Sequence, residues 1–375
     1  MPESNTVFLG FDVHKDSTDV AVATSNTSSP VQHYGTITTT LRSVNKLVKK
    51  FKSQTSSLCV VYEAGPCGFW LYRHLLKIGV ECWVISPSLI PKAPGDKIKT
   101  DRRDAMALAR LARGGILHPI HVPDAQDEAI RDLIRAREDT MVDLRQARQR
   151  LKSFLLRNGH PCSGRHNWSE AHKRHLADIH FQEPAKKITF QHYINTVTER
   201  HERLQHIELE LSVVAECWAW YPLVQWLTTL RGIRFLSAVT LVAELGDMRR
   251  FTNPRSLMNF VGLTPSEHSS GARQSQGGIT KCGNTHARRI LVEAAWAYRH
   301  TPKVSLEMQK RLQDHSVGLQ NRSWDAQLRL CKRFATLTAR GKQYNKVVTA
   351  VARELLGFIW DIAQRFDPTA TQHHG

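Results

Sequence analysis

The chain has 375 residues, with 52 Lys and Arg against 34 Asp and Glu and a formal net charge of +18. That length implies two or three domains with ample core, and that charge favours a polyanion, most commonly a phosphate backbone. No apolar run reaches bilayer-spanning length, and MPESNTVFLGFD lacks the basic start and hydrophobic stretch of a signal peptide, so the expectation is a cytoplasmic protein without a membrane partner. The seven cysteines are scattered and never arranged as CxxC, which suggests neither a disulfide framework nor a zinc site.

Residues 7 to 24 predict two strands, VFLGFDV and TDVAVAT, broken by the polar turn HKDS, and VQHYGTITTT predicts a third. There follow a helix LRSVNKLVKKF, the strand SLCVVYE, a helix CGFWLYRHLLKIG, the strand ECWVISP and a helix starting near Thr100. In the order βββαβαβα the first three strands pair antiparallel and the later ones add in parallel by right-handed crossovers. This is the order of a ribonuclease-H-like α/β fold, expected over residues 1–122.

From about residue 123 to 221 the pattern is helical. Ile130, Ile134, Met141, Leu144, Leu151 and Leu155 form one seam of three- and four-residue steps, with Arg137 and Arg148 between them. Phe190, Ile194, Val197, Leu204 and Leu211 form a second, interrupted by His201. Two long antiparallel helices joined by the polar stretch 158–187 account for both, either as a plain helical hairpin or as a coiled-coil dimerisation arm. Residues 222–366 form a mainly α C-terminal domain. There LTTLRGIRFLSAVTLVAELGD resembles a helix-hairpin-helix, whose turn at Gly232 would offer N–H groups to a phosphate, although Arg234 replaces the second Gly. A simple packing unit fits the same residues. The tail 367–375 is polar and expected to be disordered.

Four acids carry the candidate chemistry. Asp12 closes the first strand and Glu63 ends another, and those strands should be neighbours at the centre of the sheet. Asp101 and Asp104 lie on the following helix at about 0° and 300° of its wheel, with Leu108, Leu111 and Ala112, so both are expected on its buried face. Arg102, Arg103, Arg110 and Arg113 fall on the opposite, solvated face. Taken singly, each acid reads as a solvated strand end or a helix N-terminal charge. Together they form a cage for hard divalent cations, Mg²⁺ with Mn²⁺ as the alternative, of the kind that cuts or joins phosphodiesters. A second candidate is the loop SEHSSGARQSQGG, in which Ser269 and Ser270 precede Gly271 and are followed by Arg273 and Lys281. On residues alone a solvated connector is the commoner reading of such a loop. Lys99, Arg102, Arg103, Arg273, Lys281, Arg288 and Arg289 are candidate contacts to nucleic acid, Arg288 and Arg289 equally a solvated helix face.

GFDVHKD, YEAGPCGFW, KTDRRDA, GLTPSEHSSG and GGITKCGN, in that order over nearly the whole chain, resemble the DEDD-type insertion-sequence transposases, bridge-RNA-guided recombinases of bacteria. The resemblance implies a RuvC-like N-terminal domain, a coiled-coil segment and a C-terminal transposase domain bearing a nucleophilic serine. It maps the acidic tetrad onto Asp12, Glu63, Asp101 and Asp104 and the serine onto Ser270, with Ser269 adjacent. It also implies a noncoding guide RNA that pairs with target and donor DNA, so that base pairing supplies most sequence choice. Because the serine lies far along the chain from the acids, a homodimer or homotetramer is expected. Two other readings stand beside this one: a metal-only junction nuclease using water as nucleophile, and a non-catalytic nucleic-acid-binding accessory protein.

Overall fold

In the computed structural model, residues 6–91, 100–161, 168–267 and 275–366 are described, and the chain divides into two compact units, Met1–Val122 and Pro123–Gly375. Among the described residues no helix is long and apolar enough to cross a membrane. Lys99, Ser269, Ser270, Arg273 and the tail from Asp367 lie outside the described residues.

The first unit is built from β1 (Thr6–Val13), β2 (Ser17–Thr24), β3 (Gln32–Thr38), α1 (Leu41–Lys52), β4 (Ser57–Glu63), α2 (Trp70–Lys77), β5 (Glu81–Ile85) and α3 (Asp101–Arg113). Its sheet runs β3-β2-β1-β4-β5, with the first three strands antiparallel and β4 and β5 joined in parallel. This mixed α/β arrangement is consistent with a RuvC-like DEDD domain. α2 begins three residues later than expected, because Gly65 to Gly68 form a turn closed by the Gly68 N–H on the Gly65 carbonyl.

Strand alternation sorts the sheet into two faces. Leu9, Phe11, Val20, Val60 and Tyr62 pack with α1 and α2 residues Leu47, Phe51, Leu71 and Leu75. The other face presents Phe8, Ala21, Ala23, Cys59 and Val61 to Ala105, Leu108, Ala109 and Leu111 of α3. Small residues on both sides bring that helix close. At Gly10 a Cβ would fall 2.6 Å from the Ala109 nitrogen and closer still to the Ala105 carbonyl oxygen, so only glycine fits.

The second unit comprises α4 (Ala125–Arg157), α5 (Glu170–Ala177), α6 (Pro184–Glu216), α7 (Tyr221–Leu227), α8 (Phe235–Leu245), α9 (Pro254–Val261), β6 (Pro265–Glu267), β7 (Gln276–Ile279), α10 (Thr285–Ala295), α11 (Leu306–Leu312), α12 (Val317–Ala339) and α13 (Tyr344–Gln364). α4 and α6 pack side by side as two 33-residue helices. At their base Ile130, Ile134, Leu211 and Ala215 join the core built by α8, α10, α12 and α13. Further out, Leu144, Leu151, Phe154 and Leu155 meet Phe190 and Val197 in a separate cluster. The connection is not simply polar: α5 lies within it and adds Leu176 to that cluster. The seam arginines are engaged locally, Arg137 paired with Glu208 and Arg148 stacked 4.8 Å from the Trp168 ring centre.

Candidate metal centre

Asp12 follows Gly10 by two residues on β1, so its side chain points to the face on which α3 lies. β4 runs parallel to β1 with Phe11 beside Tyr62, and the next step sets Glu63 on the strand adjoining Asp12. Glu63 follows Cys59 and Val61 by the two-residue alternation and therefore shares the α3 face. α3 starts at the same end of the sheet. Its N-cap Thr100 accepts a hydrogen bond from the Arg103 N–H, and Asp101 and Asp104 occupy its first turn, where the helix dipole favours negative charge. The close seat of α3 on Gly10 thus fixes how near these two acids come to Asp12.

The expectation that both helix acids are buried needs correction. Asp104 is half-buried, but the Asp101 side chain is 56% exposed, because its wheel angle faces the sheet while its position in the first turn lies beyond the sheet's edge. Arg102, Arg103 and Arg110 are exposed as expected, whereas Arg113 turns back to donate to the Asn26 and Ser29 carbonyls, pinning the β2–β3 connection.

The structure adds a histidine to the acids. His14 Nε2 lies 3.3 Å from Asp12 Oδ2 and 3.5 Å from Asp101 Oδ2. One ligand atom from each of Asp12, His14 and Asp101 falls within 4.8 Å of the others, and Glu63 and Asp104 stand outside that radius. Burial raises the Asp12 carboxyl above its ordinary range; His14 opposes the shift, and the negative charges of Asp101 and Asp104 add to it. A cation would relieve that cost. The donor set, carboxylates open to solvent on one side, suits a hard divalent ion that retains waters and accepts phosphate oxygens. HKDS reads as a polar turn, yet extending the β1 alternation from Asp12 by one step would have placed His14 on the same face. Asp19, opposite Asp12 in the β1–β2 register, also lies on this face, but its carboxylate accepts from His33 and Thr36 of β3.

In the second unit the serine loop, residues 268–274, joins β6 to β7, which pair antiparallel with Glu267 opposite Gln276. The flanks of the expected solvated connector are therefore a pair of short antiparallel strands within the mainly α unit. Gly262, with φ +73°, caps α9 just before it, and a Cβ there would fall 2.7 Å from the Cys282 nitrogen. Lys281 is exposed, holds a left-handed φ of 56° and donates its backbone N–H to the Gly262 carbonyl. Three other residues considered for nucleic acid have intramolecular tasks. Arg288 donates to the Val261 and Cys282 carbonyls, Arg289 pairs with buried Glu138 and with Glu293, and Gly232, with φ +83°, packs against Ala294 and Ala297. Around them Glu244 is held by the Nε and Nη2 of Arg135 and by Asn284, and Glu138 also pairs with His286.

Residues 9–159 match the family model of a DEDD transposase of IS110 type, and residues 224–309 match that of the IS116/IS110/IS902 transposase family. The chain is 40% identical to "Putative transposase y4qE" of Sinorhizobium fredii over 97% of this chain and 90% of that protein. It is 32% identical to the transposase for insertion sequence element IS1533 of Leptospira borgpetersenii, over 91% of this chain and 99% of the relative. It is 29% identical to the transposase for insertion sequence element IS1111A of Coxiella burnetii, over 64% and 65%.

Proposed function

Since the chain belongs to the DEDD-type insertion-sequence transposases of the IS110 family, we propose that it excises and inserts its own mobile element by transferring DNA strands through a covalent phosphoserine link. The observation that carries the reading is the meeting of Asp12 and Asp101 at one end of the sheet, with Asp104 near enough for its charge to act on Asp12 and Glu63 on the adjoining strand. Asp12, Glu63, Asp101 and Asp104 would hold Mg²⁺, or Mn²⁺ in its place. When bound, such cations polarise the scissile phosphate and stabilise the charge that builds on its oxygens. Asp12, already costly to ionise where it sits, would gain from that partnership.

Ser270 is the proposed nucleophile. Its Oγ forms an ester to phosphorus as one phosphorus–oxygen bond to deoxyribose breaks, the departing oxygen taking up a proton. Attack by the hydroxyl of the exchanged strand then reverses the step, joining DNA without hydrolysis and returning the serine. The hairpin of β6 and β7 gives that serine two anchored flanks.

The work divides along the chain in this reading: residues 1–122 as a RuvC-like catalytic domain, 123–221 as a coiled-coil arm joining subunits of a homodimer or homotetramer, and 222–366 as the transposase domain with a helix-hairpin-helix-like element. The net charge of +18 favours DNA together with a noncoding guide RNA in the cytoplasm. Lys99, Arg102 and Arg103 of the first unit would contact backbone, as would Arg273 and Lys281 of the second, where Gly232, Arg288 and Arg289 are the remaining candidates. The test is cleavage of element-end DNA with added Mg²⁺: Asp12→Asn, Glu63→Gln, Asp101→Asn and Asp104→Asn should each abolish it, and undiminished cutting by these variants would refute the assignment.

A further inference from the structure

We propose that His14 is a nitrogen ligand of the cation held by Asp12 and Asp101, so that this site holds a borderline transition-metal ion more tightly than its carboxylates alone would. The inference rests on the reading of the acids as a metal site and adds to it a residue outside the tetrad.

Three observations support it. The first is the way His14 is held. Its backbone N–H donates to the Ser17 carbonyl at 2.9 Å and its carbonyl accepts from the Thr39 hydroxyl at 2.9 Å. The imidazole therefore hangs from a turn anchored on both sides, two residues beyond Asp12 on the same face.

The second is the placement of one ring nitrogen. His14 Nε2 stands between the two carboxylates at 3.3 Å and 3.5 Å. That nitrogen carries at most one N–H, which can serve one carboxylate at a time and leaves the other facing it without a shared proton. Two ligands bound side by side to an octahedral ion at about 2.1 Å are roughly 3 Å apart, a few tenths of an ångström less than these separations. A shared ion would serve both carboxylates and the imidazole at once with a small closing of the triad, whose ligand atoms all lie within 4.8 Å of one another.

The third is room. His14 and Asp101 are each more than half exposed while Asp12 is 19% exposed, which leaves one side of the triad open to water or a phosphate oxygen.

Chemistry then sets the selectivity. Mg²⁺ is a hard ion that favours oxygen ligands, whereas imidazole suits later first-row ions, among them Co²⁺. An all-carboxylate site has no reason to favour Co²⁺ as strongly as one with a nitrogen donor.

The test titrates the full-length protein, free of DNA, with Co²⁺ alone and with Mg²⁺ alone by calorimetry, while the visible absorption of Co²⁺ reports its coordination. The component lost in Asp12→Asn defines the site. His14→Ala is expected to weaken that component for Co²⁺ by about tenfold or more, alter the Co²⁺ spectrum, and leave Mg²⁺ affinity within about threefold. His14→Asp, which restores an oxygen donor, should tighten Mg²⁺ relative to His14→Ala without recovering the wild-type Co²⁺ spectrum. Unchanged Co²⁺ affinity and spectrum in His14→Ala would overturn the proposal, as would an equal loss for both ions, which marks a charge or folding effect. Loss of no component in Asp12→Asn would instead overturn the metal reading of the acids.

Discussion

Gly10→Ala is the substitution that most strictly couples this fold to its site. The added methyl would meet backbone on α3, 2.6 Å from the Ala109 nitrogen and nearer to the Ala105 carbonyl oxygen, with the Ala109 Cβ at 3.1 Å. No rotamer change removes that clash, because two of the three neighbours are main-chain atoms. Restoring ordinary contact at about 3.5 Å requires α3 to retreat by roughly 1 Å. Overpacking of this kind costs about 1–3 kcal/mol. The retreat also carries Asp101 and Asp104 away from Asp12, and a misplacement of about 1 Å at a reacting centre can cost roughly 100-fold in rate. The assay pairs chemical denaturation with cleavage of element-end DNA, with Gly318→Ala as control because nothing lies within 4 Å of its Cβ position. Gly10→Ala should lose stability and far more activity than stability explains. A variant that cuts DNA at the wild-type rate would refute the claim that the seat of α3 on β1 sets the acids.

Three further outcomes are expected. Because the folded-state pKa of Asp12 lies above its ordinary value of 3.8, ionising it destabilises the metal-free fold above that pH; Asp12→Asn should raise the melting temperature at pH 7 without divalent ions and abolish the further rise that they cause. Glu244 has the opposite sign. Burial disfavours its charge, but hydrogen bonds from Arg135 and Asn284 outweigh that and hold its pKa below 4.5, so it contributes stability above 4.5 that is lost as pH falls through the folded value. Glu244→Gln should cost about 2–3 kcal/mol at pH 7 by denaturation, leaving Arg135 without its carboxylate, and should flatten the acid limb of the stability curve. Gly262→Ala places a Cβ against the Cys282 backbone at a left-handed φ and should cost roughly 2–4 kcal/mol, with transposition falling further because the serine hairpin begins three residues later.

Most of the first unit was legible in the sequence because its strands alternate or run apolar and its helices are strongly amphipathic, as in LRSVNKLVKKF. The acids were legible as strand ends and a helix start. What a helical wheel does not contain is depth: it gives the direction of Asp101 but not its position past the sheet edge. His14 escaped because HKDS has the composition of a turn, although strand geometry persists one residue beyond β1 and carries the imidazole onto the acid face. In the second unit the seams of α4 and α6 were readable, but α5, only eight residues of EAHKRHLA, has too little apolar periodicity to show. The strands flanking the serine loop are three and four residues long and built of Pro, Ser, Glu, Gln, Gly and Ile, a composition that resembles a loop.

The proposed chemistry turns on the atom that attacks phosphorus. Wild-type protein incubated with element-end DNA and Mg²⁺, then denatured and digested, should yield a peptide bearing a nucleotide on Ser270 when mapped by mass spectrometry. Ser270→Ala should yield none and leave the DNA uncut. Free DNA ends from Ser270→Ala at the wild-type rate would contradict the account and identify water as the nucleophile.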